Sequence, residues 1–267
     1  MTLQDTFQTP APVALVTGSG AARVGRSIAQ RFARLSCHIA LHANRSVDEA
    51  EKTAAEMRES FGIKVIVTQG SLTDDSVPSR IVDETYQEFG RIDILINSAA
   101  IWSPTKLDDV TPDEMRRYFD INTVGSFLCA RAAGHKMIQQ DTGGSIVNIG
   151  DWATVRPYMD HAAYFPSKGA IEVMTRSLAV ELGSRNKRIR VNCIQPGPVL
   201  LADDVSEEHR LKIAQSTLVG RVGTAEHVAH AATFLCENDF ITGVCLPVDG
   251  GRQIYAPDGL QVGINTG

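Results

Sequence analysis

The constraint that dominates this chain is a rhythm. Short runs rich in Val and Ile, at 13–17, 39–42, 65–69, 92–97, 145–149 and 190–194, are separated by longer amphipathic stretches. Little polar alternation interrupts the runs, as expected of strands buried on both faces. The stretches at 26–35, 47–61, 77–89, 112–137 and 162–182 repeat apolar residues at helical period, and several open on Ser, Thr or Asp. Strands alternating with helices predict an α/β fold, a doubly wound parallel sheet with helices on both faces. No linker, repeat or low-complexity segment breaks the rhythm, so one domain over 13–267 is expected after an N-terminal extension at 1–12. The segment 198–220 is polar at its start and lacks a clean period. It reads equally as a mobile loop over a substrate cleft or as an ordinary surface excursion.

Composition narrows the partners. Lys plus Arg number 26 and Asp plus Glu 31, a net charge of −5 over 267 residues, with no like-charge block to form a basic face. Nucleic acid and membrane surfaces are therefore not expected as partners. The five cysteines, Cys37, Cys129, Cys193, Cys236 and Cys245, are scattered, and most fall in apolar runs that read as core. No metal is expected. Residues 1–12 have neither a basic nor an apolar leader region, and no stretch approaches the about 18 apolar residues of a spanning helix. With unpaired cysteines, this points to the cytoplasm.

The first run passes straight into Thr17-Gly18-Ser19-Gly20-Ala21-Ala22-Arg23-Val24-Gly25 and then a helix. Residues this small let backbone N–H groups approach a pyrophosphate at the positive end of that helix, although glycines also serve plain tight turns. The position after the first strand favours the phosphate reading, with Gly18, Ser19, Arg23, Val24 and Gly25 as contacts. The second run ends in His42-Ala43-Asn44-Arg45-Ser46, and no acid appears before Asp48. A free adenosine ribose would want a carboxylate there. Arg45 instead offers a fixed charge and a fork of donors for a 2′-phosphate, with Asn44 and Ser46 adding hydrogen bonds. NADP(H) is the expected cofactor; the alternative is a solvated arginine at a helix start.

Tyr164-Phe165-Pro166-Ser167-Lys168 sets a phenol and an amine four residues apart, on one helical face. An ammonium there is expected to lower the phenol from its ordinary value of about 10 toward working pH. Tyr164 then donates a proton in reduction and accepts one in oxidation. Such a pair is common by chance, and its weight comes from its place after the fifth strand of a chain that opens on a phosphate loop.

Together these motifs resemble the short-chain dehydrogenase/reductase family over 13–251. The resemblance implies a single-domain Rossmann-type fold and hydride transfer between a nicotinamide cofactor and a small molecule. It also implies further cofactor contacts. Ser71-Leu72 stands beside the adenine, where members usually carry Asp-Leu or Asp-Val. Asn97-Ser98-Ala99-Ala100 stands for the Asn-Asn-Ala-Gly turn, which places Asn97 and Ala99 at the cofactor. Pro196-Gly197-Pro198-Val199 resembles the segment bordering the nicotinamide, implicating Pro196, Gly197 and Val199. Residues 241–243 and 248–251 match the last strand and its approach. One extra residue between Gly18 and Gly25 departs from the glycine signature. Tyr164 and Lys168 are shared by catalysis and cofactor binding, and Asn122 matches the helix asparagine thought to hold a water that links the lysine to solvent.

Most members carry a serine thirteen residues before the tyrosine, and counting back from Tyr164 reaches Asp151. An ionised carboxylate only accepts hydrogen bonds and opposes charge developing on a carbonyl oxygen. Either Asp151 is protonated, or the substrate offers N–H donors and ring nitrogens that need a proton. A third reading makes Asp151 a turn cap pointing away from the chemistry. The Asp, Tyr, Lys arrangement resembles that of pteridine reductases, as does the 42–46 run. Those enzymes stack the pterin on an aromatic just after the Asn-Ser-Ala-Ala-type turn, and here Trp102 follows Ile101 as the candidate platform. The expected function is NADPH-dependent reduction of a C=N or C=O group. The alternatives are a ketone or 3-oxoacyl reductase and a non-catalytic NADP(H) sensor. Helices at 112–137 and 162–182 resemble those through which relatives form tetramers, so a homotetramer is expected.

Overall fold

A computed structural model describes residues 1–201 and 205–255. Seven strands form one sheet, ordered β3-β2-β1-β4-β5-β6-β7 and parallel throughout. They are β1 (Val13–Thr17), β2 (His38–Ala43), β3 (Val65–Gln69), β4 (Ile94–Asn97), β5 (Gly144–Ile149), β6 (Ile189–Pro196) and β7 (Cys245–Val248). The order runs outward from β1 to β3 and then outward from β4 to β7 in the opposite sense. Adjacent β1 and β4 therefore mark the switch point, beyond whose carboxyl ends a ligand crevice opens.

Both faces of the sheet are covered, which is why the strands read as unbroken apolar runs. Ala14 and Val16 pack on one face with Ile28, Phe32 and Val228, while Leu15 points to the other with Ile81, Met137 and Leu178. The first face is built by α2 (Val24–Arg34), α3 (Val47–Phe61) and α9 (Ala225–Glu237), the second by α4 (Val77–Phe89), α6 (Ser126–Ile138) and α7 (Tyr164–Arg185). Asp93, just before β4, is fully buried and closes the amino end of the sheet. Its carboxylate accepts from Val13 N–H (2.8 Å) and from the Arg91 fork (2.7–3.1 Å).

Four features differ from expectation. The extension at 1–12 belongs to the core, because the short helix α1 (Leu3–Phe7) buries Leu3 and Phe7 against the first face and Thr6 Oγ1 donates to the Glu237 carbonyl (3.1 Å). Two apolar residues four apart are too brief a signal for periodicity. The helix expected over 112–137 is α5 (Pro112–Tyr118) and α6 joined by a π-helical turn, Phe119–Gly125. The segment 198–220 holds α8 (Glu207–Gln215), with residues 202–204 outside the described residues. α8 buries none of its residues, so it has no apolar stripe for a sequence to display. Finally, α9 went unanticipated, although Thr224 caps it and Val228, Ala232 and Leu235 line its buried side. No helix among the described residues is long and apolar enough to cross a membrane.

Candidate active site

At the end of β1 the chain turns under the next strands, and the absence of side chains makes that turn possible. Gly18 has φ +65°, and a Cβ there would sit 2.5 Å from the Ala99 Cα. A Cβ on Gly20 would strike Ser46 and Ala43, and one on Gly25 would lie 2.8 Å from the Gly18 carbonyl oxygen. The loop is braced from two sides. Arg26 donates to the Gly20 carbonyl and pairs with Glu49 (3.1 Å). Buried His42 accepts from Gly18 N–H at Nδ1 (3.3 Å) and donates from Nε2 to the Gly70 carbonyl (3.0 Å). Burial pulls the His42 imidazole below its ordinary value, which keeps it neutral in this bridging tautomer.

A cleft of about 540 Å³ runs along the carboxyl edge of the sheet. It gathers Gly18, Arg23, Asn44, Arg45, Ser46, Ser71, Leu72, Ala99 and Trp102 from widely separated parts of the sequence. Arg45 is exposed at its rim, and among the described residues it enters no ion pair. Other expected contacts lie elsewhere. Ser19 is fully buried, with its N–H bonded to the His42 carbonyl and its hydroxyl shared between Val16 O and His42 N–H, so it stitches β1 to β2. Val24 and Gly25 open α2 behind the loop. Pro196 ends β6, and Gly197 N–H bonds the Val248 carbonyl (3.0 Å). Val199 lines a separate cavity of about 380 Å³ with Leu218 and Val248. Asn97 lies beneath the cleft, where its amide donates to Ser126 O (3.0 Å) and Asn148 Oδ1 (2.9 Å). Its own Oδ1 is buried with no protein partner among the described residues.

The residues expected to carry proton transfer meet where β5 ends and α7 begins. Tyr164 Oη donates to Asp151 Oδ2 at 2.7 Å, and Asp151 Oδ1 accepts from Ala153 N–H at 2.8 Å. The carboxylate is thus both a turn cap and a partner of the tyrosine, one oxygen for each. Lys168 Nζ donates to the Ile149 carbonyl at 2.8 Å. Tyr164 and Lys168 are both buried. Burial pushes the Tyr164 phenol well above its ordinary value, and the Asp151 charge and hydrogen bond push the same way. The protein therefore holds Tyr164 as a neutral donor, in contrast to the lowered phenol expected from the lysine alone. Burial draws the Lys168 ammonium down, against the opposing pull of Asp151.

Asn122 sits in the π-helical turn, a distortion common at functional sites. Its Oδ1 accepts from Ile101 N–H (2.9 Å), while Nδ2 donates to the Ile101 carbonyl (3.2 Å) and to Ser167 Oγ (3.0 Å). Tyr118 Oη accepts from Ser103 N–H at 3.0 Å. Residues 101–103 are pinned at both ends, and this places Trp102. The indole is 54% exposed at the cleft and stacks on His161 (4.9 Å, 24°). His161 in turn meets Tyr164 edge-on at 6.2 Å, and Tyr118 meets it at 6.0 Å. Tyr118 and His161 were not anticipated. The available signal was their spacing, four residues before Asn122 and three before Tyr164.

The chain matches a family model described as enoyl-(acyl carrier protein) reductase over residues 20–253. It is 34% identical to the short-chain dehydrogenase/reductase FrzI of Cladobotryum sp, with 89% of this chain and 94% of that protein covered. It is also 34% identical to pteridine reductase 1 of Leishmania tarentolae, covering 91% and 97%. The structure of acetoin dehydrogenase YohF from Salmonella typhimurium superposes with a TM-score of 0.83 at 27% identity, covering 92% and 99%.

Asp151→Asn keeps an oxygen for one hydrogen bond and removes the charge. The Tyr164 phenol is expected to ionise at lower pH in that variant, seen as an earlier step in a tyrosinate absorbance titration. A titration curve identical to that of the unsubstituted protein would leave burial as the whole cause of the raised value.

Proposed function

Because the chain belongs to the short-chain dehydrogenase/reductase family, whose members are oxidoreductases, we propose that it is an NADPH-dependent reductase of a small planar N-heterocycle, a pteridine being the best fit. The observation that supports this most is the 2.7 Å hydrogen bond from Tyr164 to Asp151, with Trp102 presenting a stacking face at the cleft.

The cofactor fits what the chain presents. The side-chain-free turn at Gly18 and Gly20 leaves backbone close to the cleft, Arg23 and Arg45 supply positive charge, and Ser71, Leu72 and Ala99 continue the wall. By the family resemblance its nicotinamide half would extend beyond this cleft toward Asn97, Pro196, Gly197 and Val199, with Tyr164 and Lys168 on the ribose side. When bound, NADPH would supply the hydride. Tyr164, kept protonated by burial and by Asp151, delivers the proton at its Oη. Asp151 Oδ2 accepts from a ring N–H and so holds the heterocycle beside Tyr164, while the Lys168 charge offsets the phenolate left behind until solvent returns its proton. Asn122 acts as a positioning residue by holding the segment that carries Trp102. An anionic acceptor suits a heterocycle with N–H donors better than a ketone oxygen gaining charge.

The ketone or 3-oxoacyl reading has its own support in the acetoin dehydrogenase likeness and in 35% identity to the 3-oxoacyl-[acyl-carrier-protein] reductase of Rattus norvegicus over 89% of this chain. NADPH consumption with dihydropterins, β-ketoacyl thioesters and diketones separates the two. Turnover is expected with the pterins. Asp151→Ser is then expected to lower it by about 10²–10⁴-fold, the usual scale of general acid assistance. Turnover confined to ketones, held or raised in Asp151→Ser, would overturn the pteridine reading.

Cofactor choice rests on Arg45. A charged hydrogen bond contributes about 1.5–3 kcal/mol, so Arg45→Ala should shift the ratio of kcat/KM for NADPH over NADH by about ten- to a hundredfold. Equal use of both cofactors by the unsubstituted protein would contradict the proposal.

The reading includes a homotetramer assembled through α6 and α7. Phe127, Val173 and Val180 are exposed on these helices, and a Cβ built on Gly169 meets no atom within 4 Å, leaving room for a partner helix. Light scattering should give the mass of four chains, and a monomer mass at micromolar concentration would refute the assembly.

A further inference from the structure

Cys193 of β6 and Cys245 of β7 are register partners on neighbouring parallel strands, so both side chains leave the same face of the sheet. That face carries α7, since Ile189 and Val191, at the alternating positions before Cys193, pack in one cluster with Leu178 and Leu182. Strands in a sheet lie about 4.8 Å apart, and a disulfide usually joins Cα atoms about 4.4–6.8 Å apart. The pair is within bonding reach. Both residues are thiols here, Cys193 fully buried and Cys245 half-buried on the edge strand.

Their surroundings differ in a chemically useful way. Arg176 Nη1 lies 3.7 Å from the Cys245 sulfur. The Cys193 thiol donates to the Ile194 carbonyl at 3.5 Å, and its register partner Cys245 lies across the strand pair. The neighbouring Cys193 thiol, aided by Arg176, draws the Cys245 thiol below its ordinary value against burial and Glu172. The nearby Cys245, with burial, pushes Cys193 well up. One sulfur is disposed to ionise beside solvent while its neighbour keeps its proton, the division of labour of an attacking and a resolving cysteine.

The pair also touches the machinery described above. Tyr164, Lys168, Glu172 and Arg176 follow one another at four-residue steps along α7. A Cβ on Gly150, the residue before Asp151, would lie 2.9 Å from the Cys193 sulfur, and Lys168 acts on that sulfur through its charge.

We infer that Cys193 and Cys245 form a peroxide-sensitive dithiol whose oxidation to a disulfide slows turnover. The Cys245 thiolate attacks a hydroperoxide oxygen, the O–O bond breaks, and the leaving oxygen takes up a proton as water, or as an alcohol from an alkyl hydroperoxide. Cys245 is left as a sulfenic acid. The Cys193 sulfur then attacks that sulfur, the S–S bond forms, and the sulfenic oxygen departs as water with the Cys193 proton. Two thiols lose two electrons and the peroxide gains them. Moving the Cys193 sulfur toward Cys245 withdraws it from beneath Gly150 and from beside Lys168, which loosens the support of Asp151 and of the lysine.

The full chain is treated with hydrogen peroxide, denatured, alkylated and mapped by mass spectrometry, with turnover measured in parallel. Alkylatable thiols are expected to fall from the five present to three, five less the pair, with a Cys193–Cys245 disulfide peptide. Turnover should drop several-fold, and dithiothreitol should restore both. Cys245→Ser, or Cys245→Ala should the serine variant fold poorly, is expected to keep its turnover under peroxide. Retention of all five thiols, oxidation confined to other cysteines, a disulfide without effect on turnover, or the same loss of turnover in the Cys245 variants would each overturn the inference.

Discussion

One hydroxyl holds the point from which the cleft opens. β1 and β4 lie side by side while their chains leave the sheet in opposite directions, and Thr17, the last residue of β1, spans the junction. Its Oγ1 accepts from Ser98 N–H (3.0 Å) and Ala99 N–H (3.1 Å) and donates to the Ile96 carbonyl (3.3 Å). These bonds keep the turn after β4 against the glycine loop, where Gly18 has room only because it lacks a Cβ. The register carries the same level across the sheet, from Thr17 to Asn97 to Asn148 to Cys193. The loop, the Asp151 turn and the start of α7 all rise from this edge.

Burial then decides the chemistry of that edge. A phenol next to a carboxylate in water would titrate near its usual value, since solvent screens the pair. Here Tyr164 and Lys168 are withdrawn from solvent, and the Asp151 charge acts on both with little screening. The phenol keeps its proton and the ammonium is held against a backbone carbonyl. Aromatic rings complete the enclosure, with Tyr118, Phe165 and Trp152 packed around Tyr164. The carboxylate that replaces the usual serine is built into the fold, because one of its oxygens caps the turn that carries it.

How much of this was legible depends on whether the signal is local. The strands announced themselves because both faces of the sheet are covered, so neither face needs polar residues. The Tyr164 and Lys168 pair was legible because four residues make about one helical turn. Asp151 was legible as a departure at a known spacing, yet its two hydrogen bonds were not, since Tyr164 reaches it from a separate element. Ser19 shows the reverse. It sits in the glycine-rich stretch and reads as a phosphate contact, but the return of β2 beside β1 claims both its N–H and its hydroxyl.

The sequence by itself determined the alternation of strand and helix, the parallel sheet, the order of the motifs and the placing of Tyr164 and Lys168 on one helical face. These follow from periodicity and from contacts within one turn of helix. Tertiary structure alone decided where α1 packs, why Asn122 lies in a π-helical turn, and that Trp102 is pinned by Asn122 and Tyr118 and stacked on His161. It also decided that the Tyr164 phenol is raised. Each of these depends on groups brought together from distant parts of the chain and on the water their packing excludes, and neither distance in space nor exclusion of solvent is written in the spacing of residues along a sequence.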